Sequence, residues 1–416
     1  MKKVLILCDY FPPYSGPRMG YLVKYLSRLG WESYVVAGEL SSRGGFEALT
    51  GFAKEVHIIP QKPHRKWNLL HILPFFWPYD YLRGEYDMLK RARSIASQQQ
   101  IDIVLSSCTF GMFPNNTALR VAKENHLPII FDIRDLNEQE PHFPFWEKSL
   151  EAKLNALRQR LSILSRHRFF MGLRKADALV SISPWHVDWL KQRVNPNCCL
   201  IYNGFDPELF QMALPQKTNQ FEIVYTGTLG GPKGRDYKFL LTSVMNLHRH
   251  GLIDSKFFRV KFYCGKIMSS NPIRDDVVRM GISEYFEFLP FVAASKIPAI
   301  LRDASILLVL TNKNGFHGIM TTKFFEYLSM NRPILCVTSD EDALEQAIQE
   351  VNAGCAARSA DEAYKFILEK FSEWKEIGYT KGTVLGDQIT RYSRKEQARQ
   401  FSDLFNETIF RHNRET

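Results

Sequence analysis

The residues best placed to do chemistry lie at 318–330, GIMTTKFFEYLSM, followed at once by NRPIL at 331–335. Their order reads as a loop, a helix start and a buried strand. Thr321 or Thr322 can cap the helix, and Lys323 and Glu326, three residues apart, fall on one face of its first turn. Such a face can hold a phosphate and a sugar diol together. Free backbone N–H groups and the positive end of the helix dipole favour an anion, Lys323 adds a full charge, and Glu326 accepts hydrogen bonds from hydroxyls. The same residues also describe an ordinary capped helix carrying a solvated Lys–Glu pair, so the rest of the chain has to decide.

Three other stretches offer matching chemistry. In YTGTLGGPKGRD at 225–236, Gly227 and Thr228 leave backbone N–H groups accessible, Lys233 and Arg235 add two cations, and a helix starts just beyond. Together they suggest a diphosphate cradle opposite Lys323, the alternative being a flexible surface loop. In DYFPPYSGPR at 9–18, Gly16 permits close backbone approach to a ligand, and Arg18 puts a charge at the next helix start, from which it can reach a phosphate. In FDIRDL at 131–136, Asp132, Arg134 and Asp135 end an apolar strand where the sheet edge meets a cleft, a place for chemistry, or else pair as carboxylate and guanidinium to fix the loop. SISPW at 181–185 ends a further strand with hydroxyls and opens a helix at Ser183-Pro184. Neither GxGxxG nor GxxxxGK[ST] occurs, which argues against a nicotinamide or flavin enzyme and against P-loop ATP chemistry.

The elements that position these residues alternate regularly. Apolar runs at 4–8, 33–37, 56–59, 103–107, 128–132 and 178–181 read as strands, with helices at 20–28, 86–98, 118–125 and 147–175 between them. A second series repeats the design, with strands at 221–225, 259–264, 286–289, 306–310 and 334–338. Its helices fall at 237–250, 272–280 and 294–302, then after Thr321 and on to the end. Strands without polar alternation, joined by helices, imply parallel sheets covered on both faces. The division expected is 1–205 as a first domain, 206–220 as a linker and 221–390 as a second domain. Residues 391–416 form a last helix packing back towards the first domain. Two doubly wound domains bring their strand ends to a shared cleft, where such folds bind ligands.

Composition agrees with two folded domains. The chain has 416 residues, 45% hydrophobic and 24% charged, with no repeat or low-complexity tract. Residues 1–8 read as a buried first strand, too short in their apolar run for an export signal. The seven cysteines show no CxxC spacing and sit mostly in strand-like runs, as reduced thiols do. No run is long enough to span a membrane, so a cytoplasmic location is expected. The net charge of +10 is spread out, with no nucleic-acid-binding motif, but two clusters mix basic and apolar residues. One is His64, Arg65, Lys66 and Trp67 with Leu69 to Trp77; the other runs from Arg158 to Lys175 with Leu161, Ile163, Leu164, Phe169 and Phe170 interleaved. Both suit an anionic membrane surface, and both equally suit a helix packed on its apolar side with a solvated basic face.

In this order and spacing the motifs resemble those of the family 4 glycosyltransferases. They comprise FPP and the Gly/Arg loop, DIRD, SISPW, then IYNGFDPELF at 201–210, YTGTL at 225–229 and TTKFFEYLSMNRPIL at 321–335. The resemblance covers nearly the whole chain. It implies the GT-B fold, two doubly wound Rossmann-like domains facing a central cleft, and transfer of a sugar from a nucleotide diphosphate with retention at the anomeric carbon and without a required metal. By position, Glu326 resembles the family's ribose-binding glutamate, and Lys233, Arg235 and Lys323 the cations that meet the diphosphate. Many relatives carry a second glutamate eight residues earlier, near the donor sugar; here Gly318 stands in that place.

The expected catalytic group is Lys233, Arg235 and Asp132, with Gly16, Arg18, Gly227, Thr228, Thr322, Lys323 and Glu326 holding the nucleotide sugar and Arg134 and Asp135 orienting the acceptor. No cofactor is expected. The acceptor is a glycan or a polyprenol-linked sugar, as in cell-surface polysaccharide synthesis, with the enzyme peripheral at the inner membrane face. A sugar-nucleotide epimerase of the same fold, or a non-catalytic binding or scaffold protein, are the alternatives.

Overall fold

In the computed structural model, the described residues are 1–14, 16–39, 46–60, 83–108, 114–136, 170–212, 214–229, 235–265, 272–311, 317–384 and 386–415. Outside them lie the cluster at 64–77, nearly all of the expected helix 147–175 with most of its basic cluster, and Lys233. The chain forms two compact units, Met1–Tyr202 together with Arg394–Thr416, and Asn203–Ser393.

The first unit is built on β1 (Lys2–Cys8), α1 (Pro17–Leu26), β2 (Trp31–Glu39), β3 (Glu55–Pro60), α2 (Arg83–Gln98), β4 (Ile103–Cys108), α3 (Asn115–Glu124), β5 (Ile129–Ile133), β6 (Ala178–Ser181), α4 (Pro184–Arg193) and β7 (Cys198–Leu200). All strand pairs are parallel, in the order β3-β2-β1-β4-β5-β6-β7. Successive residues of β1 enter different cores: Leu5 and Leu7 pack with Met88, Val104 and Val121, whereas Val4, Ile6 and Cys8 pack with Met19, Leu22 and Val23. A strand buried on both faces needs an unbroken apolar run, which is why these segments lack alternation.

The second unit repeats the plan with β8 (Phe221–Thr226), α5 (Lys238–Arg249), β9 (Phe258–Tyr263), α6 (Ile273–Arg279), β10 (Phe286–Leu289), α7 (Ile297–Asp303), β11 (Ile306–Leu310), α8 (Thr322–Met330), β12 (Ile334–Val337), α9 (Ala343–Glu350), β13 (Gly354–Ala357), α10 (Ala360–Ile377) and α11 (Gly386–Ile389). Its parallel sheet runs β10-β9-β8-β11-β12-β13. Each sheet reverses direction of winding beside its first strand, between β1 and β4 and between β8 and β11, the point at which sheets of this kind bind ligands.

The terminal helix α12 (Arg394–Glu415) completes the first unit. Its apolar positions Ala398, Phe401 and Phe405 recur at helical spacing and join the core of α1 and β1, where Trp31 meets Phe405 edge-on at 5.1 Å and donates from its indole to Ser402 at 3.0 Å. Residues 206–220, expected as a linker, are tied into the second unit instead. Trp374 donates to Thr218 Oγ1 at 2.8 Å, and the Thr218 amide to the Gly378 carbonyl at 2.9 Å. Two edge strands, β7 and β13, escaped the sequence reading, and α1 begins at Pro17, three residues before the expected start. All seven cysteines are free. Among the described residues no helix is long and apolar enough to cross a membrane.

Candidate functional site

In the second unit the loop after β8 and the start of α8 bring Gly227, Arg235, Lys323 and Glu326 together. Gly227 has φ +119°, and a Cβ there would sit 2.3 Å from Lys323 Cε, so the glycine makes room for the lysine stem. The ammonium of Lys323 lies over the ring of buried Tyr225, 5.4 Å from its centroid. Tyr225 in turn donates its hydroxyl to the Thr228 carbonyl at 2.8 Å, and the Arg235 amide donates to the Leu229 carbonyl at 2.9 Å, which closes the loop on itself. The Arg235 charge lies near enough to the Tyr225 hydroxyl to oppose the rise that burial gives its pKa, so both cations neighbour one tyrosine.

Burial pushes the Lys323 ammonium down to about 8; the neighbouring Arg235 charge pushes the same way, and Glu326 opposes. Neither Lys323 nor Arg235 has a carboxylate ion-pair partner among the described residues. Two cations held close, one of them desolvated, form a site whose electrostatics favour a polyanion.

Helix α8 adds to this. Thr321 occupies its N-cap position, but the expected side-chain cap is not made. The Phe324 amide bonds the Thr321 carbonyl at 3.1 Å, and the Thr322 and Lys323 amides are left to other acceptors. Behind the helix, the buried Tyr327 hydroxyl accepts from the Thr226 amide at 3.2 Å and lies 3.1 Å from Thr226 Oγ1, which pins α8 to the end of β8. Tyr225 and Tyr327 were not singled out from sequence, because a buried tyrosine in an apolar run reads as core.

The charges at the strand ends of the first unit are arranged differently. Arg18 and Asp132 are both buried and form a two-pronged pair, Nε to Oδ2 at 3.0 Å and Nη2 to Oδ1 at 2.8 Å. Ser107 donates to the same carboxylate at 2.8 Å, and Arg18 also donates to the carbonyls of Ile201 and Tyr202 at 3.0 Å each. A guanidinium committed to four acceptors inside the fold is not available to a phosphate, nor is a fully enclosed carboxylate available to an acceptor hydroxyl. The expected ligand role of Arg18 and catalytic role of Asp132 would each require this pair to open. Arg134 pairs with buried Asp9 at 2.6 Å, with its Nε 3.3 Å from the Cys108 carbonyl. The carboxylate–guanidinium reading of DIRD is thus the one realised, with partners from β1 and α1.

Asp135 keeps an exposed face, yet the chain enclosing it drives its carboxyl up to about 6, opposed by Arg134 and helped by Asp9 and Asp132. Gly16, at φ +77°, precedes α1 where a Cβ would meet the Tyr10 carbonyl at 2.5 Å, so its close contact is with the chain itself. Ser183 caps α4, its hydroxyl accepting from the His186 amide at 3.4 Å. Among the described residues no group of three or more His, Cys, Asp or Glu side chains is placed to hold a metal.

Residues 18–209 match the model of Glycosyltransferase Family 4. Among solved structures, HepE of Anabaena in complex with UDP is 13% identical, with a TM-score of 0.62 over 98% of this chain and 100% of its own. Sucrose-phosphate synthase from Thermosynechococcus elongatus is 11% identical, with a TM-score of 0.64 over 98% and 99%. A glycosyltransferase from Rickettsia africae is 13% identical, with a TM-score of 0.63 over 98% and 98%. Among curated proteins none is similar enough in sequence to count as a relative. The structural likenesses establish the fold, two Rossmann-like domains of the GT-B type.

Proposed function

We propose, from the match of residues 18–209 to the model of Glycosyltransferase Family 4, that this chain transfers a sugar from a nucleoside diphosphate to an acceptor. The observation that carries the reading is the cationic site of the second unit, where Lys323 lies over the Tyr225 ring with Arg235 nearby, beside the uncapped N-terminus of α8. HepE was solved with UDP and with UDP-glucose, which supports a nucleotide sugar as the donor here.

As the bond from the sugar to the diphosphate breaks, negative charge grows on the leaving phosphate oxygen. Lys323, Arg235 and the first amides of α8 meet that charge in a preformed arrangement, so their interaction strengthens toward the transition state. Lys233, in the same loop, adds to this set, and Glu326 holds the ribose. The transfer retains anomeric configuration and needs no metal, the cations taking the role a divalent ion has elsewhere. The acceptor is a glycan or polyprenol-linked sugar presented at the inner membrane face, where the basic and aromatic clusters bind anionic lipid.

Calorimetric titration with UDP and GDP, followed by turnover with the corresponding nucleotide sugars and a lipid-linked acceptor, tests this. Binding of one nucleoside diphosphate, and loss of turnover in Lys323→Ala and Arg235→Ala, are expected. Full activity in both variants would remove the cradle, and no binding of any nucleoside diphosphate would favour a scaffold role.

A further inference from the structure

The chain entering α8 is held by a residue from the other side of β12. Asp342 occupies the N-cap position of α9, the place where an aspartate ordinarily bonds the first helix amides, yet its side chain makes no cap bond. Asp340 caps instead: its carboxylate accepts from the Leu344 and Glu345 amides, at 2.9 Å each. Released from that task, Asp342 turns its Oδ2 to the Gly318 amide at 2.6 Å, a short charge-assisted bond, and lies 3.4 Å from His317 Nδ1.

Gly318 itself is buried and has φ +70°, a conformation that side chains other than glycine's rarely adopt. Three features therefore converge on one peptide: a glycine in the left-handed region, a carboxylate on its amide, and, three residues later, a helix N-cap position whose side chain makes no cap bond. Displacing the 317–318 peptide changes where the amides of Thr322 and Lys323 point.

We infer that Asp342 is a positioning residue for the diphosphate site, acting through the Gly318 amide to hold the backbone that presents the start of α8 to the ligand. The inference rests on the nucleotide-sugar reading above and extends it, because Asp342 acts on the Gly318 amide from the N-cap position of a different helix. Glycine is required at 318 on this account by the backbone conformation, and the carboxylate that serves the loop comes from 342.

The test uses the full chain and three variants, Asp342→Ala, Asp342→Asn and His317→Ala, each checked for an unchanged circular dichroism spectrum and thermal midpoint. Amide exchange across 317–323 is followed without ligand, and UDP and GDP are titrated by calorimetry. In Asp342→Ala the Gly318 amide should exchange at least about tenfold faster, and nucleoside diphosphate should bind about tenfold more weakly, as for the loss of one charge-assisted hydrogen bond. Asp342→Asn, whose side-chain oxygen still accepts, should recover most of both, and His317→Ala should change neither. If wild-type protein binds nucleoside diphosphate and Asp342→Ala binds it equally well, the positioning role is wrong while the nucleotide-sugar reading stands. If His317→Ala reproduces the loss with Gly318 exchange unchanged, the role is likewise wrong. If wild-type protein binds none, both fall together.

Discussion

Both units place charged residues where parallel strands end, but they treat them in opposite ways. In the first unit each cation has a carboxylate: Arg18 with Asp132, Arg134 with Asp9. In the second, Lys323 lies over the Tyr225 ring, and the nearby Arg235 charge disfavours its protonated form. Removing two charges from water is costly unless they meet with good geometry, so a buried, doubly bonded pair is a fixed part of the fold. A desolvated lysine beside an arginine stores a demand for an anion that no ion pair among the described residues meets. Position at a strand end is therefore a poor guide to function; whether the charge is already neutralised is a better one.

The largest expected effect comes from breaking a pair in the first unit. Asp132→Ala leaves Arg18 buried without its carboxylate and should cost about 3–5 kcal/mol. The double change Arg18→Met with Asp132→Leu should recover much of that. Hydrogen exchange across β1, β4 and β5 reads the first unit by itself, which matters because two units need not unfold together. An Asp132→Ala protein of normal exchange that had lost turnover would return Asp132 to the catalytic group.

Next in size is the counterpart in the second unit. Lys323→Met should weaken nucleoside diphosphate binding by about ten- to a hundredfold, the value of one or two charge-assisted contacts. It should leave the thermal midpoint unchanged or higher, since a partly desolvated ammonium is replaced by an apolar chain of similar length. Binding and stability would then separate in opposite senses at the two sites. A Lys323→Met protein that unfolded early but bound normally would erase the contrast.

The same lysine gives a smaller effect through pH. Its ammonium titrates near 8 in the folded chain against an ordinary 10.5, so between those values the unfolded chain holds more protons than the folded one. Stability from this group therefore rises with pH across that window, and Lys323→Met should flatten the rise. Ligand affinity runs the other way, because only the protonated form attracts phosphate. It should fall about tenfold between about pH 7 and pH 9 in the wild type and stay nearly level in Lys323→Met. Calorimetry at matched ionic strength would show it.

What could be read from sequence follows the same division. The sheets were legible because strands buried on both faces carry unbroken apolar runs such as Val4 to Cys8. Strands β7 and β13 were not, since CCL and GCAA are short and poor in β-branched or aromatic residues. In the second unit, Gly227, Arg235, Lys323 and Glu326 were recognisable because glycine and cations beside a helix start have a local meaning. The partner of Arg18 was not recognisable: Asp132 lies 114 residues away and meets it only because β4 and β5 follow β1 in the sheet. Asp342 was hidden for a related reason, as its spacing predicts a cap and only the geometry shows Asp340 doing that work.

The smallest expected effect probes the support beneath the second site. Tyr327 is buried on α8, and its hydroxyl is the link between that helix and the Thr226 amide at the end of β8. Tyr327→Phe keeps the ring and its packing and removes one buried hydrogen bond, leaving the Thr226 amide without that acceptor, at about 1 kcal/mol. Because Lys323 precedes it by one helical turn, loosening this link should also weaken nucleoside diphosphate binding by about two- to fivefold, less than any change to the cations themselves. Thr226→Val removes the hydroxyl yet keeps the amide bond to Tyr327, so it should bind more tightly than Tyr327→Phe. Equal losses in the two would mean that the hydroxyl contact, and not the backbone one, ties the helix to the sheet.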